Sequence, residues 1–278
     1  MTTLAAIQMT STRSLDDNLA QADALLQQAA GQGASLAVLP ENFAGYGVDY
    51  RQLAGQYPRL VDWLSDQARR HRLAIVGGSI PAIERPDGSQ VPAPRVRTRS
   101  LAFSEDGTLL AGYDKLHLFD AQVNDAQGSY LESRVFEPGE QVITVPLAGL
   151  QVGLAICYDL RFPALAQALA GQGAELLVYP SAFTAVTGAA HWQLLLRATA
   201  VQTGCFVLGA NQCGQHSERR ASFGHSMLVD PWGTVQASLE EKPGVLVATP
   251  DLATMDSVRQ RMPVMRHQRF SPEGPYEL

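Results

Sequence analysis

Short apolar runs alternate along the chain with segments whose apolar residues recur every three or four positions. That is the pattern of buried strands interleaved with amphipathic helices. Leu15, Leu19, Ala22, Leu26 and Ala29 share one helical face. Ser14 and Asp17 form an S-x-x-D capping signal before them, and Gly31 and Gly33 supply a stop. The run SLAVLP follows, apolar throughout, as suits a strand covered on both faces. A helix from about Pro58 to His71 leads into a second such strand, LAIVGGSI. SLAFSEDGTLLAGYDK then predicts a hairpin around Asp106–Gly107. From about Phe119 to Gly139 the pattern reads as loop.

After that loop the programme repeats. VGLAICYD predicts a buried strand, Pro163–Gly171 a helix and ELLVYP a strand. His191–Gly204 predicts a helix, CFVLGANQ a strand, and SMLVDPWGTVQAS a hairpin around Pro231–Trp232–Gly233. The two series are related in sequence as well as in pattern. AGQGASLAVLPENFA (30–44) and AGQGAELLVYPSAFT (170–184) agree at nine of fifteen positions. LAIVGG from Leu73 answers FVLGA from Phe206, and EDGT from Glu105 answers PWGT from Pro231. The offset falls from 140 to 126, as expected if the first half carries extra loop residues. A duplicated α-β-α-β-β unit accounts for all three matches in one order. Helices covering sheets, with hairpins adding antiparallel strands, predict an α/β fold. The expectation is an αββα sandwich of two pseudo-repeated halves, making a single domain over residues 1–278.

Composition narrows the partners. With 46% hydrophobic residues among 278, a large core can be buried without metals or disulfides as staples. Lys and Arg number 21 against 27 Asp and Glu, a formal charge of -6, which argues against nucleic-acid or anionic-membrane partners. Cys157, Cys205 and Cys213 cannot all pair and none forms a CxxC, the usage of a reduced compartment. The start MTTLAAIQMT lacks the features of a signal peptide, and no run approaches the ~20 apolar residues of a membrane span. A cytoplasmic location is expected.

In α/β sheets chemistry collects at the carboxyl ends of strands. Three reactive residues fall there: Glu41 after SLAVLP, Lys115 ending the first hairpin, and Cys157 ending VGLAI. At a strand-to-helix turn, Cys157 is expected to lie near backbone N–H groups that favour a thiolate. Glu41, partly desolvated, suits a base near neutrality. Taken singly, each has an ordinary structural role open to it: inert core thiol, turn glutamate, surface lysine. Together they supply a nucleophile, a base and a cation for an oxyanion. Other signals are weaker. GQGASL and GQGAEL lack the third glycine of a dinucleotide loop and close helices instead of opening them. Cys213, His216 and His225 have no fourth ligand at a suitable spacing, so no metal is expected. His117 reads as structural or supporting, and Arg95, Arg97 and Arg99 as a solvated strand face or loop.

LPENF, YDKLHLFD and GLAICYDLRFP resemble the three signature segments of the nitrilase (carbon–nitrogen hydrolase) superfamily, in order and spacing over nearly the whole chain. The resemblance implies the same αββα sandwich and a Glu-Lys-Cys triad. Glu41 would be the general base, Lys115 the oxyanion stabiliser and Cys157 the nucleophile. The superfamily's second glutamate falls on Glu132 in SYLESRVFEPG, with Glu137 the alternative. YPSAFT, HWQLLLRA, NQCGQHSERRASFGHSMLVDPWGTV and RMPVMRHQRF are most similar to the deaminated glutathione amidases of the Nit branch. That implies an amidase working through a cysteine thioester without a cofactor, splitting an α-keto-acid amide to α-ketoglutarate and cysteinylglycine. The alternatives are an ω-amidase acting on α-ketoglutaramate and a non-catalytic binding protein on the same fold. A carboxylate-bearing substrate calls for cations, for which Arg161, Arg219 and Arg220 are candidates. Tyr158 beside the nucleophile is a further binding candidate, and so, by the repeat, are Phe183 and Thr184. The resemblance also implies a homodimer, with the tail from about Asp251 reaching a partner.

Overall fold

The structure, a computed structural model, describes residues 2–271 together with 274 and 275. The first half runs β1 (Leu4–Gln8), α1 (Leu15–Gly31), β2 (Leu36–Val38), α2 (Tyr50–Ala54), α3 (Tyr57–His71), β3 (Ala74–Val76), β4 (Ile80–Ala82), β5 (Arg97–Phe103) and β6 (Leu109–Asp114). A small hairpin, β7 (Asp120–Gln122) and β8 (Ser129–Leu131), and a 3-10 turn at Glu132–Arg134 connect the halves. The second half opens with β9 (Ile143–Leu147), β10 (Leu150–Leu154), a 3-10 turn at Cys157–Arg161, α4 (Pro163–Gly171), β11 (Leu176–Ser181), α5 (Ala185–Thr203) and β12 (Phe206–Asn211). It closes with β13 (Cys213–Ser217), β14 (Arg220–Phe223), β15 (Met227–Val229), β16 (Val235–Ser238), β17 (Gly244–Ala248) and α6 (Leu252–Arg261).

Two sheets carry the duplication. In the first, β17, β1, β2 and β3 lie side by side; β3 and β4 follow one edge of β5, and β6 takes the other. In the second the order is β9, β10, β11, β12, β15, β16. Each sheet therefore has three parallel strands, an antiparallel partner on one side and a hairpin on the other. Strand faces alternate as a doubly covered sheet requires. Leu4 and Ala6 of β1 and Leu36 and Val38 of β2 join Val152, Leu154 and Val178 of the other sheet in one core. Ala5, Ile7, Ala37 and Leu39 point the other way, against Leu19 and Leu26 of α1 and Leu60 and Leu64 of α3. This is the αββα sandwich, built from an α/β repeat.

Several local expectations change. Phe119–Gly139 is not a plain loop, because β7 pairs antiparallel with β8 and the 3-10 turn follows. LAIVGGSI is two strands, broken at Gly77–Gly78, where the backbone must pass tightly beside Pro40. α5 begins at Ala185, six residues before His191, because the Thr184 side chain caps it by accepting from the Thr187 N–H. Strands β1, β9 and β17 are buried or edge strands whose apolar runs were too short to read. Of the PRVRTRS arginines, Arg95 is partly exposed as expected, but Arg97 and Arg99 are not solvated: Arg97 is 1% exposed. Arg97 donates to Asp114 and Glu137, and Arg99 grips Asp114 with two nitrogens. These ion pairs also hold the 81–99 segment, with Arg85 adding two bonds to Glu137.

Candidate active site

Glu41 leaves the end of β2 through a turn that needs unusual backbone geometry. Asn42 is left-handed, at φ 58°, a conformation asparagine tolerates better than most residues. Its N–H is held by Ser79 Oγ at 2.9 Å, and Gln212 Nε2 donates to the Glu41 carbonyl at 3.0 Å. Gly78, at φ +54°, lets this turn close, since a Cβ there would lie 2.2 Å from the Pro40 carbonyl oxygen. Lys115 follows β6. Its N–H donates to Thr98 O at 2.9 Å and its carbonyl accepts from the Gly139 N–H at 2.8 Å. Gly139 is required as well, because a Cβ would stand 2.2 Å from Asp114 O. Cys157 begins the 3-10 turn after β10 at φ 47°, a strained backbone for a cysteine and one that throws the thiol out of the sheet's pleat.

These three segments meet. Lys115 Nζ donates to Glu41 Oε1 at 2.8 Å and to Glu132 Oε1 and Oε2 at 2.9 and 3.0 Å. Glu132 Oε2 also accepts from the Phe119 N–H at 2.5 Å. Glu41, Lys115 and Cys157 are all buried. Burial opposes the Lys115 ammonium, yet the carboxylates of Glu132 and Glu41 outweigh it and hold its pKa well above the usual lysine value. Burial raises the Glu132 carboxyl, with Lys115 pulling the other way. The Cys157 thiol is pushed well above the ordinary thiol range, first by burial and then by the charge of Glu41, against the pull of Lys115. The expected thiolate is thus corrected to a resting thiol: the turn is 3-10, α4 starts only at Pro163, and a carboxylate stands beside the sulfur. Such a thiol can attack only as its proton leaves for a neighbouring base, and Glu41 is placed to take it.

The four side chains open into a cavity of about 170 Å³. Tyr46, Tyr50, Phe119, Tyr130, Ala182, Thr184 and Arg220 also line it. Arg220 is clamped between aromatic faces, its guanidinium carbon 5.2 Å from the Tyr46 ring centre and 4.9 Å from that of Tyr130. Among the described residues it has no carboxylate within salt-bridge distance, whereas the Lys115 charge is shared by two. The cavity lined by the thiol is therefore also lined by one cation with no carboxylate partner among the described residues.

The model of the carbon-nitrogen hydrolase family matches residues 3–260. The chain belongs to the carbon–nitrogen hydrolase family. It is accordingly an enzyme of C–N bond hydrolysis. It is 39% identical over 274 residues to a deaminated glutathione amidase of Yersinia enterocolitica, covering 96% of this chain and 93% of that one. It is 37% identical over 269 residues to an omega-amidase of Homo sapiens, covering 96% and 94% of the two chains. The crystal structure of the C. elegans NitFhit protein superposes with a TM-score of 0.87 at 34% identity, covering 96% of this chain; the hydrolase chain spans only 65% of NitFhit's length.

In this carbon–nitrogen hydrolase the expected binding residues divide. Thr184 and Arg220 line the cavity; Tyr158, Arg161, Phe183 and Arg219 are not among its lining residues. Tyr158 turns behind Phe119 and Phe162, with ring centres 5.0 and 5.3 Å away. Arg161 lies over Phe183 and Tyr158 and bonds His191 Nδ1 at 3.2 Å, on the α5 side of the nucleophile turn. Phe183 packs into the core against Trp192. Arg219 sits exposed in the β13–β14 turn, whereas its neighbour Arg220 opens β14 and is half-buried. Glu137 is committed to Arg85 and Arg97, which pull its carboxyl down to about 2, and it does not reach Lys115. Cys205 and Cys213 are buried, with thiols pushed up chiefly by burial. His216 stacks on Tyr46 at 4.1 Å and His225 on Phe223, and no group of three or more His, Cys, Asp or Glu among the described residues is arranged to hold a metal ion. The aromatic lining has little signature in the sequence beyond Tyr46, which stands in a GYG segment five residues after Glu41.

Proposed function

We propose that this enzyme hydrolyses small carboxylate-bearing amides through a thioester on Cys157. Glu41 accepts the thiol proton as Sγ attacks the carbonyl carbon. Lys115 Nζ and the N–H of Tyr158, which as an early residue of a helical turn has no intrahelical acceptor, face the oxyanion. Glu41 then returns the proton to the leaving amine, the C–N bond breaks, and the thioester remains. Water attacks it with Glu41 again as base, releasing the acid and the thiol. Glu132 orients Lys115. The observation that carries this reading is the Lys115 ammonium held between the buried Glu41 carboxylate and the half-buried Glu132 carboxylate, in the cavity that the Cys157 thiol also lines.

The substrate best supported is an α-keto-acid amide of the deaminated glutathione kind, given the 39% identical relative of that name. α-Ketoglutaramate is the second reading, favoured by the 37% identical omega-amidase. Both carry carboxylates, and Arg220 is the cation that supports either. Incubating the protein with each amide and weighing it intact should reveal an acyl adduct on Cys157, with Cys157→Ala folded but inactive. Turnover retained in that variant would overturn the scheme. Arg220→Gln should raise KM for the charged amide about tenfold or more and leave a neutral isostere nearly unchanged; equal effects on both would remove Arg220 from recognition.

We further place the chain in the cytoplasm as one domain and a homodimer. Three unpaired thiols support a reducing compartment, and no helix among the described residues is long and apolar enough to cross a membrane. Pairing of β17 with β1 supports one domain, since the first sheet takes an edge strand from the second half of the chain. Exposed Val186, Leu194 and Val201 along α5, with Trp232 beside them, support a partner on that face. The tail assigned to partner contact runs beyond the described residues at 272–273 and 276–278.

A further inference from the structure

We propose that Asp159 is a positioning residue that locks the nucleophile turn to the strand end bearing the ammonium. Its carboxylate is 1% exposed and accepts four hydrogen bonds. One comes from the nucleophile's own turn: the Ile156 N–H donates to Oδ2 at 2.9 Å. Three come from the segment that carries Lys115. Tyr113 O–H donates to Oδ2 at 2.7 Å, and the His117 N–H and Nδ1 meet Oδ1 at 3.0 and 2.7 Å.

Two features make this more than a satisfied core carboxylate. The Asp159 N–H donates back to Ile156 O at 3.0 Å, closing a ring of bonds around Ile156–Asp159. Inside that ring Cys157 holds its left-handed backbone at φ 47°, which a cysteine keeps only where its surroundings over-determine it. The three donors on the other side bracket Lys115 in sequence, with Tyr113 two residues before it and His117 two after. His117 is itself pinned, stacked flat on Phe162 with ring centres 3.7 Å apart. A single buried carboxylate thus sets the separation of thiol and ammonium, and the Glu41 carboxylate follows because it bonds the same Nζ. This inference rests on the proposed roles of Cys157 and Lys115, so its test includes a reading that needs no amide.

In the full-length protein, Asp159→Asn replaces one acceptor oxygen, which meets two of the four donors, with a donor. The measurements are kcat per reactive Cys157, KM, and the pH profile of Cys157 alkylation by iodoacetamide. Misplacing reacting groups by an ångström costs on the order of 10²-fold. The expected result is a fall in kcat of that size per reactive thiol, KM within about threefold, and a displaced alkylation profile. Tyr113→Phe removes one donor and keeps the ring; about a tenfold fall with the same displacement is expected, and this variant decides the matter if Asp159→Asn does not fold. Lowered Tm with unchanged kcat per thiol and an unchanged alkylation profile would overturn the proposal, leaving Asp159 purely structural. Failure of the amidase reading would look different: no amide turned over by the wild type, with the alkylation profiles still distinguishing the variants.

Discussion

The ends of β2 and β11 are the same place in the two halves of the repeat, and they do opposite work. After β2, Pro40 is followed by Glu41, whose carboxylate reaches Lys115. At the end of β11, Pro180 is followed by Ser181, whose hydroxyl turns back to bond Tyr179 O at 3.1 Å. Two residues beyond the proline, Asn42 and Ala182 both line the cavity, and Thr184 does so from the position of Ala44. Duplication delivers two similar strand ends to one cavity, and a difference at a single position sets a carboxylate beside Lys115 at one and a hydroxyl turned into the backbone at the other. Much the same holds for the whole site: the first half supplies Glu41 and Lys115, while the second supplies Cys157, Ala182, Thr184 and Arg220.

The largest test of that asymmetry replaces the paired positions. Glu41→Gln should lower kcat by about 10²–10⁴-fold, the range of a lost general base, with circular dichroism unchanged. Ser181→Ala should change kcat less than about threefold. Comparable losses at both positions would mean that the second strand end is chemical too.

This asymmetry was partly legible beforehand. Glu41 and Cys157 could be placed because each terminates an apolar run, and Lys115 because it ends a hairpin; the end of a strand in an α/β sheet is a position, not merely a residue type. The repeat was legible for the same reason: its matches fall on strands and tight turns, where packing leaves few alternatives. What was hidden depends on distant partners. Arg97 looks like any charged residue on an alternating strand until Asp114 and Glu137 arrive to bury it. Arg161 and Arg220 look equally free in sequence, yet one rests on the rings of Tyr158 and Phe183 and the other on those of Tyr46 and Tyr130. The state of the Cys157 thiol depends on burial and on Glu41, 116 positions away in the chain, and no local pattern carries that.

A second test follows from that thiol. Its pKa is raised, so below the pKa the thiolate fraction, and with it the rate of alkylation, should rise about tenfold for each pH unit. In the free enzyme the rise should continue from pH 6 to 9 with no plateau near neutrality. In Glu41→Gln one of the charges that raises the thiol is gone, and the profile should move to lower pH. A plateau by pH 7 in the wild type would mean an already ionised thiol and would return Glu41 to a secondary role.

The smallest effect distinguishes the long helices of the two halves, α3 and α5. α3, in the first half, begins at Tyr57 after Gln56 with no side-chain cap and relies on Pro58 in its first turn. α5, in the second, is capped by Thr184, whose Oγ1 accepts from the Thr187 N–H at 3.1 Å. Because Thr184 also lines the cavity, one residue there fixes a helix start and shapes a wall. Thr184→Ala should cost about 1 kcal/mol of stability, the ordinary worth of such a cap. In a chain of this size that lowers Tm by a few degrees at most. Thr184→Ser keeps the capping oxygen and removes a methyl from the wall, so it should restore Tm while leaving any change in KM. If Ser restored both, the residue would matter to the site only through the helix it starts; if Ser restored neither, the loss would lie in packing against the bridge to Ser222.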